Sequence, residues 1–245
     1  KPDIDAIAVT VGPGLEPALW VGISMARALS IAWGIPVIPV NHMEGHVLSI
    51  LVQKKKTFTY KKDTLKFPLL SLLVSGGHTE IVLAKEFGKY KIIGQTRDDA
   101  AGEAFDKVAR MLGLPYPGGP EISKLAEVAR TNSYKKNAKF PRPMINSNNL
   151  NFSFSGLKTS VLYYIRDNFE GKNENIPQED KADIAREFED SVVDVLTHKI
   201  ISILEDKNIK TLIIAGGVVA NKKIREAFSE LNKKYPELNI KTPTK

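Results

Sequence analysis

The 245-residue chain contains no cysteine. That excludes disulfides, thiolate nucleophiles and thiolate metal sites, so any metal ligand must be histidine, aspartate or glutamate. A cysteine-free chain agrees with a reducing compartment, and a cytoplasmic location is expected. Long apolar runs are missing too. Stretches such as Leu69–Val74 fall far short of the roughly 20 residues a bilayer span needs, and no membrane association is expected. No N-terminal signal pattern is present. The chain starts at Lys1 rather than Met, as a fragment would. Histidine is scarce, with four residues in all, so the position of each carries weight.

What is present suits a globular enzyme. Hydrophobic residues make up 42% and charged residues 26%, enough for a substantial core in one large domain or two lobes. The net charge of +7 is unevenly spread. Residues 54–66 hold six Lys and one Asp, and residues 130–142 hold five Lys or Arg and no acid. These two polar segments could be the footprint of a polyanion such as RNA, or simply two solvated loops.

Hydrophobic patterning predicts an α/β chain. A β-branched run, Ile4–Val11, ends at the turn Gly12-Pro13-Gly14. A helix over Leu15–Trp33 stops at Gly34, and a short strand, Ile35–Val40, leads to a helix over Met43–Val52. Residues 53–66 read as a polar boundary loop. Strands Leu69–Ser75, Glu80–Lys85 and Lys91–Thr96 follow, joined by turns at Gly76-Gly77 and Phe87-Gly88. Ala101–Leu112 is helical. Pro115–Pro120 reads as a rigid turn and residues 131–151 as loop. Helices over Gly156–Asn168 and Glu179–Asp206, a strand at Thr211–Ala215, a helix at Lys222–Lys234 and a strand at Leu238–Thr242 complete the series.

Several constellations carry chemistry. His42 and His46 lie four apart, so on a helix both imidazoles share one face and can grip one ion. A structural histidine pair is the alternative. Glu44 sits roughly 200° around a helix from His42, unlike the glutamate of the H-E-x-x-H metallopeptidases, which directly follows the first histidine. Ser75, Gly76, Gly77 and His78 close an apolar strand. Small residues there let backbone N–H groups approach phosphate, with Ser75 or Thr79 offering a hydroxyl, although a plain hairpin turn has the same sequence. Gly216-Gly217 stands between strand and helix, with Asn221 placed to bond a base or ribose. Asp98 and Asp99 open a helix as dipole partners, and Asp106 lies deeper, able to accept hydroxyls. Asn151 is a possible helix N-cap, and Lys158 lies inside that helix.

In order along nearly the whole chain, these motifs resemble the tRNA N6-threonylcarbamoyladenosine transferases, the TsaD family once labelled glycoproteases. The matching segments are Val11–Gly14 with Ala18-Leu19, His42–His46, Leu73–Thr79, Asp98–Lys107, Tyr116–Pro120, Phe140–Pro143, Phe152–Thr159, Ala185–Asp190 and Ala215–Asn221. The resemblance implies a two-lobed actin/hexokinase/Hsp70-like ATPase fold built from duplicated ribonuclease-H-like lobes. It implies that residues 1–66 belong to an incomplete first lobe carrying the metal helix. Residues 67–245 form the second, with a helical insertion at about 97–178. His42 and His46 would bind one divalent ion, Fe2+ or Zn2+, whose third ligand in the family is an Asp beyond Lys245. Leu73, Val74, Ser75, Gly76 and Gly77 would contact threonylcarbamoyl-AMP or nucleotide phosphates. Asp106, Gly119 and Asn221 would hold the adenosine. Ser123 stands where many relatives carry an Asp with a ribose contact.

The implied activity is transfer of threonylcarbamoyl from threonylcarbamoyl-AMP to N6 of adenosine 37 in tRNAs reading codons that begin with A. The expected partners are tRNA, a paralogous TsaB-like protein and a TsaE-like small ATPase. His78 is the candidate general base, by position. The rival readings are a metallopeptidase, a small-molecule kinase of the same fold and a noncatalytic paralogue, the last of which should lack the histidine pair. With both ends short of the family pattern, the isolated fragment is expected to be inactive.

Overall fold

The computed structural model describes residues 2–49, 65–134 and 137–242. The lysine-rich stretch 54–64, Lys135 and Lys136 lie outside the described residues. The chain separates into two compact units, Lys1–Thr59 and Tyr60–Lys245.

In the first unit, β1 (Ile7–Gly12) and β2 (Val37–Asn41) pair in parallel, joined by α1 (Glu16–Trp33). The crossover helix is what a parallel pair requires. Proline stands in its first turn, and Gly34 ends it in the left-handed conformation at φ 64°, its N–H donating to the Ser30 carbonyl. Glycine takes that conformation without steric cost. The next helix, α2 (His42–Leu48), follows β2 directly. It is shorter than the predicted Met43–Val52, and residues 50–52 lie outside the described residues.

The second unit holds a five-stranded sheet ordered β5-β4-β3-β6-β7, with β3 (Leu69–Val74), β4 (Thr79–Glu86), β5 (Lys89–Gln95), β6 (Thr211–Ala215) and β7 (Asn239–Lys241). The first three strands are antiparallel neighbours, whereas β6 and β7 join in parallel. A meander followed by crossover strands is the layout of a ribonuclease-H-like lobe. Every residue of β3 and β6 is buried, which is why both read as continuous apolar runs rather than alternating ones.

Among the described residues five α-helices pack with this sheet: α3 (Ala101–Met111), α4 (Gly118–Thr131), α5 (Ser155–Phe169), α6 (Gln178–Asp206) and α7 (Lys222–Lys234). Their apolar faces share one core with the sheet, where Phe105, Phe152, Phe154, Phe188 and Phe228 are fully buried. Phe105 meets Phe188 edge-to-face at 5.1 Å between ring centroids, a favoured aromatic geometry.

One predicted element is corrected here. Pro115–Pro120 is not simply a turn, because Gly118, Gly119 and Pro120 form the first turn of α4. Proline is tolerated there because its missing N–H has no partner in a first turn.

Candidate functional site

In the first unit, α2 presents the histidine pair. Asn41 caps the helix, its Oδ1 accepting from the N–H groups of Met43 at 2.8 Å and Glu44 at 3.2 Å. This fixes the start of the helix, and His42 from the first turn and His46 from the next project side by side. Their Nε2 atoms lie 3.2 Å apart. Two Zn–N bonds of about 2.05 Å at a tetrahedral angle would place the nitrogens about 3.3 Å apart, so the pair fits two ligands of one ion. Among the described residues, no group of three or more histidine, aspartate or glutamate side chains could hold a metal.

In the second unit, the segment after β3 is a tight turn. The N–H of Ser75 donates to the His78 carbonyl at 2.8 Å, and the N–H of His78 donates to Ser75 Oγ at 3.0 Å. Ser75 therefore shapes the turn. Leu73 and Val74 are buried, offering backbone rather than side chains, whereas Gly76 and Gly77 are exposed. His78 is half-buried. Thr79 is no hydroxyl donor to a phosphate. It is fully buried, and its Oγ1 accepts from the N–H of Ala101 at 2.9 Å.

The turn lies beside the end of β6, because Leu73 pairs in register with Ala215. Two glycines allow this approach. A Cβ on Gly216, at φ 102°, would fall 2.3 Å from the Val74 carbonyl oxygen, and one on Gly102 would fall 2.6 Å from that of Ser75. Neither site can take a side chain without moving backbone.

Beyond these strand ends opens a cavity of about 820 Å³, a size suited to a nucleotide-scale ligand. The backbones of Gly76, Gly119 and Gly217 line it, together with Asp106, Ser123 and Asn221. Five sequence-predicted residues, Gly76, Asp106, Gly119, Ser123 and Asn221, thus come to one place. Leu73, Val74, Ser75, Gly77 and His78 do not line it. Asp106 Oδ1 accepts from the N–H of Gly118 at 2.8 Å, locking α3 to α4. Asn221 caps α7, its Oδ1 accepting from the N–H of Ile224 at 3.0 Å.

Two lining residues, Glu189 and Arg130, were not singled out from the sequence. Glu189, on α6, has no exposed side-chain surface. It accepts from Ser123, Asn221 and Arg130, each at 2.6 Å. Arg130 also reaches Asp190 at 2.6 Å. Burial pulls the Arg130 guanidinium down, but its bonds to Glu189 and Asp190 outweigh this and raise its pKa above the ordinary arginine value. Arg142 bridges Glu187 at 2.5 Å and Asp194 at 2.9 Å. Both arginines of the basic segment 130–142 are therefore tied to carboxylates of α6.

Asp98 and Asp99 do more than complement a helix dipole. Asp98 reaches across to α5, accepting from the N–H groups of Phe154 at 2.8 Å and Ser155 at 3.2 Å and from Ser153 Oγ at 2.6 Å. It is the cap of α5. Asn151, the predicted cap, instead accepts from the N–H of Gln95 at 3.1 Å. Asp99 pairs with Lys107 at 2.8 Å and Lys158 at 2.9 Å. Burial pushes its carboxyl up, but the two ammonium groups outweigh this and hold it below the usual carboxylate range.

Fold and site together define a mixed α/β protein with a ligand cavity at the C-terminal ends of adjacent parallel strands, the usual binding position in open α/β sheets. The structure is similar to that of full-length HypF in the phosphate- and nucleotide-bound form (TM-score 0.64, 13% identity, 98% of this chain and 44% of that one). It is also similar to HypF of T. kodakarensis (TM-score 0.62, 12% identity, 98% and 38%). The likeness shows a shared fold, of the two-lobed α/β kind that the sequence resemblance implies.

The profile of the family described as TsaD, tRNA N6-adenosine threonylcarbamoyltransferase, matches residues 1–245. Proteins of that name from Neisseria meningitidis (48% identity, 96% of this chain), Chromobacterium violaceum (48%, 93%) and Herminiimonas arsenicoxydans (47%, 98%) are similar over nearly the whole chain. The chain belongs to the TsaD family. It spans 63% of the length of the first two relatives and 67% of the third. Among the described residues, no helix is long and apolar enough to cross a membrane.

Proposed function

We propose that the protein containing this chain transfers the threonylcarbamoyl group of threonylcarbamoyl-AMP to N6 of adenosine 37 in tRNAs reading codons that begin with A. The observation that carries this reading is the end-to-end match to the family, with five motif residues converging on one nucleotide-sized cavity. The relatives' shared name favours neither the peptidase nor the kinase alternative.

Residues 1–66 are assigned to the first lobe and 67–245 to the second. In this reading the adenylate occupies the cavity. Asp106 keeps one carboxylate oxygen for ligand hydroxyls, and Gly119 and Gly217 let the ring approach backbone. Of the Leu73–Gly77 segment, the exposed turn residues Gly76 and Gly77 are the ones assigned to offer backbone N–H groups to phosphate or carbamoyl oxygens, since the Ser75 N–H is bonded to the His78 carbonyl and Leu73 and Val74 pair in the sheet. In the reaction, N6 attacks the carbamoyl carbon, its bond to the phosphate oxygen breaks, AMP departs and N6 loses a proton. His78 is the group assigned to receive it. Fixed placement of both reactants supplies much of the rate.

The histidine pair is assigned a single divalent ion, Fe2+ or Zn2+. When bound, it supplies Lewis-acid chemistry, polarising a carbonyl and relieving charge on phosphate oxygens. A third carboxylate ligand is assigned to chain beyond Lys245. tRNA, a TsaB-like paralogue and a TsaE-like ATPase are the assigned partners, in the cytoplasm.

The test uses the full-length protein with threonine, bicarbonate, ATP, the partner enzymes and tRNA, scored by mass spectrometry of the modified nucleoside. His42→Ala should abolish product and bound metal while leaving the thermal midpoint within a few degrees. Full activity in that variant would contradict the metal assignment.

A further inference from the structure

We propose that Glu189 is a positioning residue that sets the hydrogen-bonding polarity of the cavity wall, making Ser123 an acceptor and Asn221 a donor toward the ligand. This rests on the adenylate reading of the cavity.

An ionised carboxylate only accepts hydrogen bonds. Glu189 Oε1 lies 2.6 Å from Ser123 Oγ and 2.6 Å from Asn221 Nδ2, and Oε2 lies 2.6 Å from Arg130 Nη1. Serine has a single hydroxyl hydrogen, and here it is committed to Glu189. Ser123 is left with lone pairs and can only accept from the cavity. Asn221 is held from both ends. Its Oδ1 accepts from the Ile224 N–H, and one of its two amide hydrogens goes to Glu189. Rotating the amide by 180° would set oxygen against the carboxylate and NH2 against an N–H, so the orientation is fixed. The remaining amide hydrogen is a donor.

The wall therefore presents an acceptor and a donor anchored on one shared oxygen. A ligand hydroxyl, which both donates and accepts, matches that pair, whereas a group that only accepts matches half of it. The recognised chemical feature is a sugar hydroxyl of the nucleotide. Glu189 has no exposed side-chain surface and acts through its two neighbours. Its charge is held in place by Arg130, which Asp190 also binds.

The experiment measures AMP, 2′-deoxy-AMP and 3′-deoxy-AMP binding to the full-length protein by calorimetry. Wild type should prefer AMP over at least one deoxy analogue by about tenfold, the worth of one buried hydrogen bond. Glu189→Gln should compress that ratio to about threefold or less, because an amide NH2 facing Ser123 and Asn221 is a donor where the carboxylate was an acceptor, and the two neighbours can no longer both donate to it. A merely structural loss would weaken all three ligands in parallel and leave the ratio unchanged, which would overturn the proposal.

Ser123→Ala, at a half-buried position, should compress the same ratio without touching Arg130. If wild type did not bind AMP at all, the adenylate reading would fall and this inference with it. AMP binding with an unchanged ratio in Glu189→Gln would overturn only the inference.

Discussion

Replacing Gly216 by alanine tests how the cavity is built. An added methyl would sit 2.3 Å from the Val74 carbonyl oxygen and 2.7 Å from its carbon. Ordinary carbon–oxygen contacts are about 3.3 Å or more, so the ends of β3 and β6 would have to part by about 1 Å. That is enough to break an N–H···O ladder bond with an ideal length near 2.9 Å. Overpacking of this kind costs about 1–3 kcal/mol. Alanine at φ 102° adds about 1–3 kcal/mol of backbone strain. The sum, about 2–6 kcal/mol, is a large share of the 5–15 kcal/mol typical of a whole domain. Urea denaturation of the full-length protein should register it as a lower midpoint. The neighbouring Gly217→Ala is the control: a Cβ there has nothing within 4 Å, so stability should stay within about 0.5 kcal/mol. A Gly216→Ala variant within 1 kcal/mol of wild type would refute the close-approach explanation.

Asp98→Ala removes the cap that α5 borrows from another segment, and unfolding free energy should fall by about 1–2 kcal/mol. An unchanged urea midpoint would show that water replaces the carboxylate without cost. Asp99 should make stability pH-dependent. Its folded pKa lies below the ordinary aspartate value. The stabilisation is therefore fully present above about pH 4 and is lost as pH falls through the folded value. Asp99→Asn should cost about 1 kcal/mol near neutrality, modest because Lys107 keeps 39% of its side chain exposed. The difference from wild type should shrink toward zero once the pH has fallen through the folded value. An equal difference at neutral and strongly acidic pH would remove the ion-pair explanation.

Local signals made most elements legible. The buried strands β3 and β6 read directly as apolar runs, and α1 was bounded by Gly34, whereas Asn221 was read only as a ligand contact and not as the cap of α7. The whole of α4 (Gly118–Thr131) was missed, because its opening Pro-Gly-Gly-Pro is a turn signal that only docking on α3 turns into a first helical turn. Asp98 was assigned to its own helix because a carboxylate that caps a helix more than fifty residues away leaves no spacing to read.

Glu189 falls within the matching segment Ala185–Asp190 and Arg130 within the basic segment 130–142, but that the two meet depends on how α4 packs against α6, which no local spacing shows. A signal was nonetheless present. Asp183, Arg186 and Glu189 are buried among the apolar residues of α6, and charge on a buried helix face calls for partners.

The central claim is that the cavity at the ends of β3 and β6 receives the adenylate. A crystal structure of the full-length protein with AMP tests it most directly. Density for the nucleoside should lie between Gly119 and Gly217, with a sugar hydroxyl within hydrogen-bond distance of Asp106 or Ser123. Ordered AMP bound elsewhere, with this cavity holding only water, would contradict the claim.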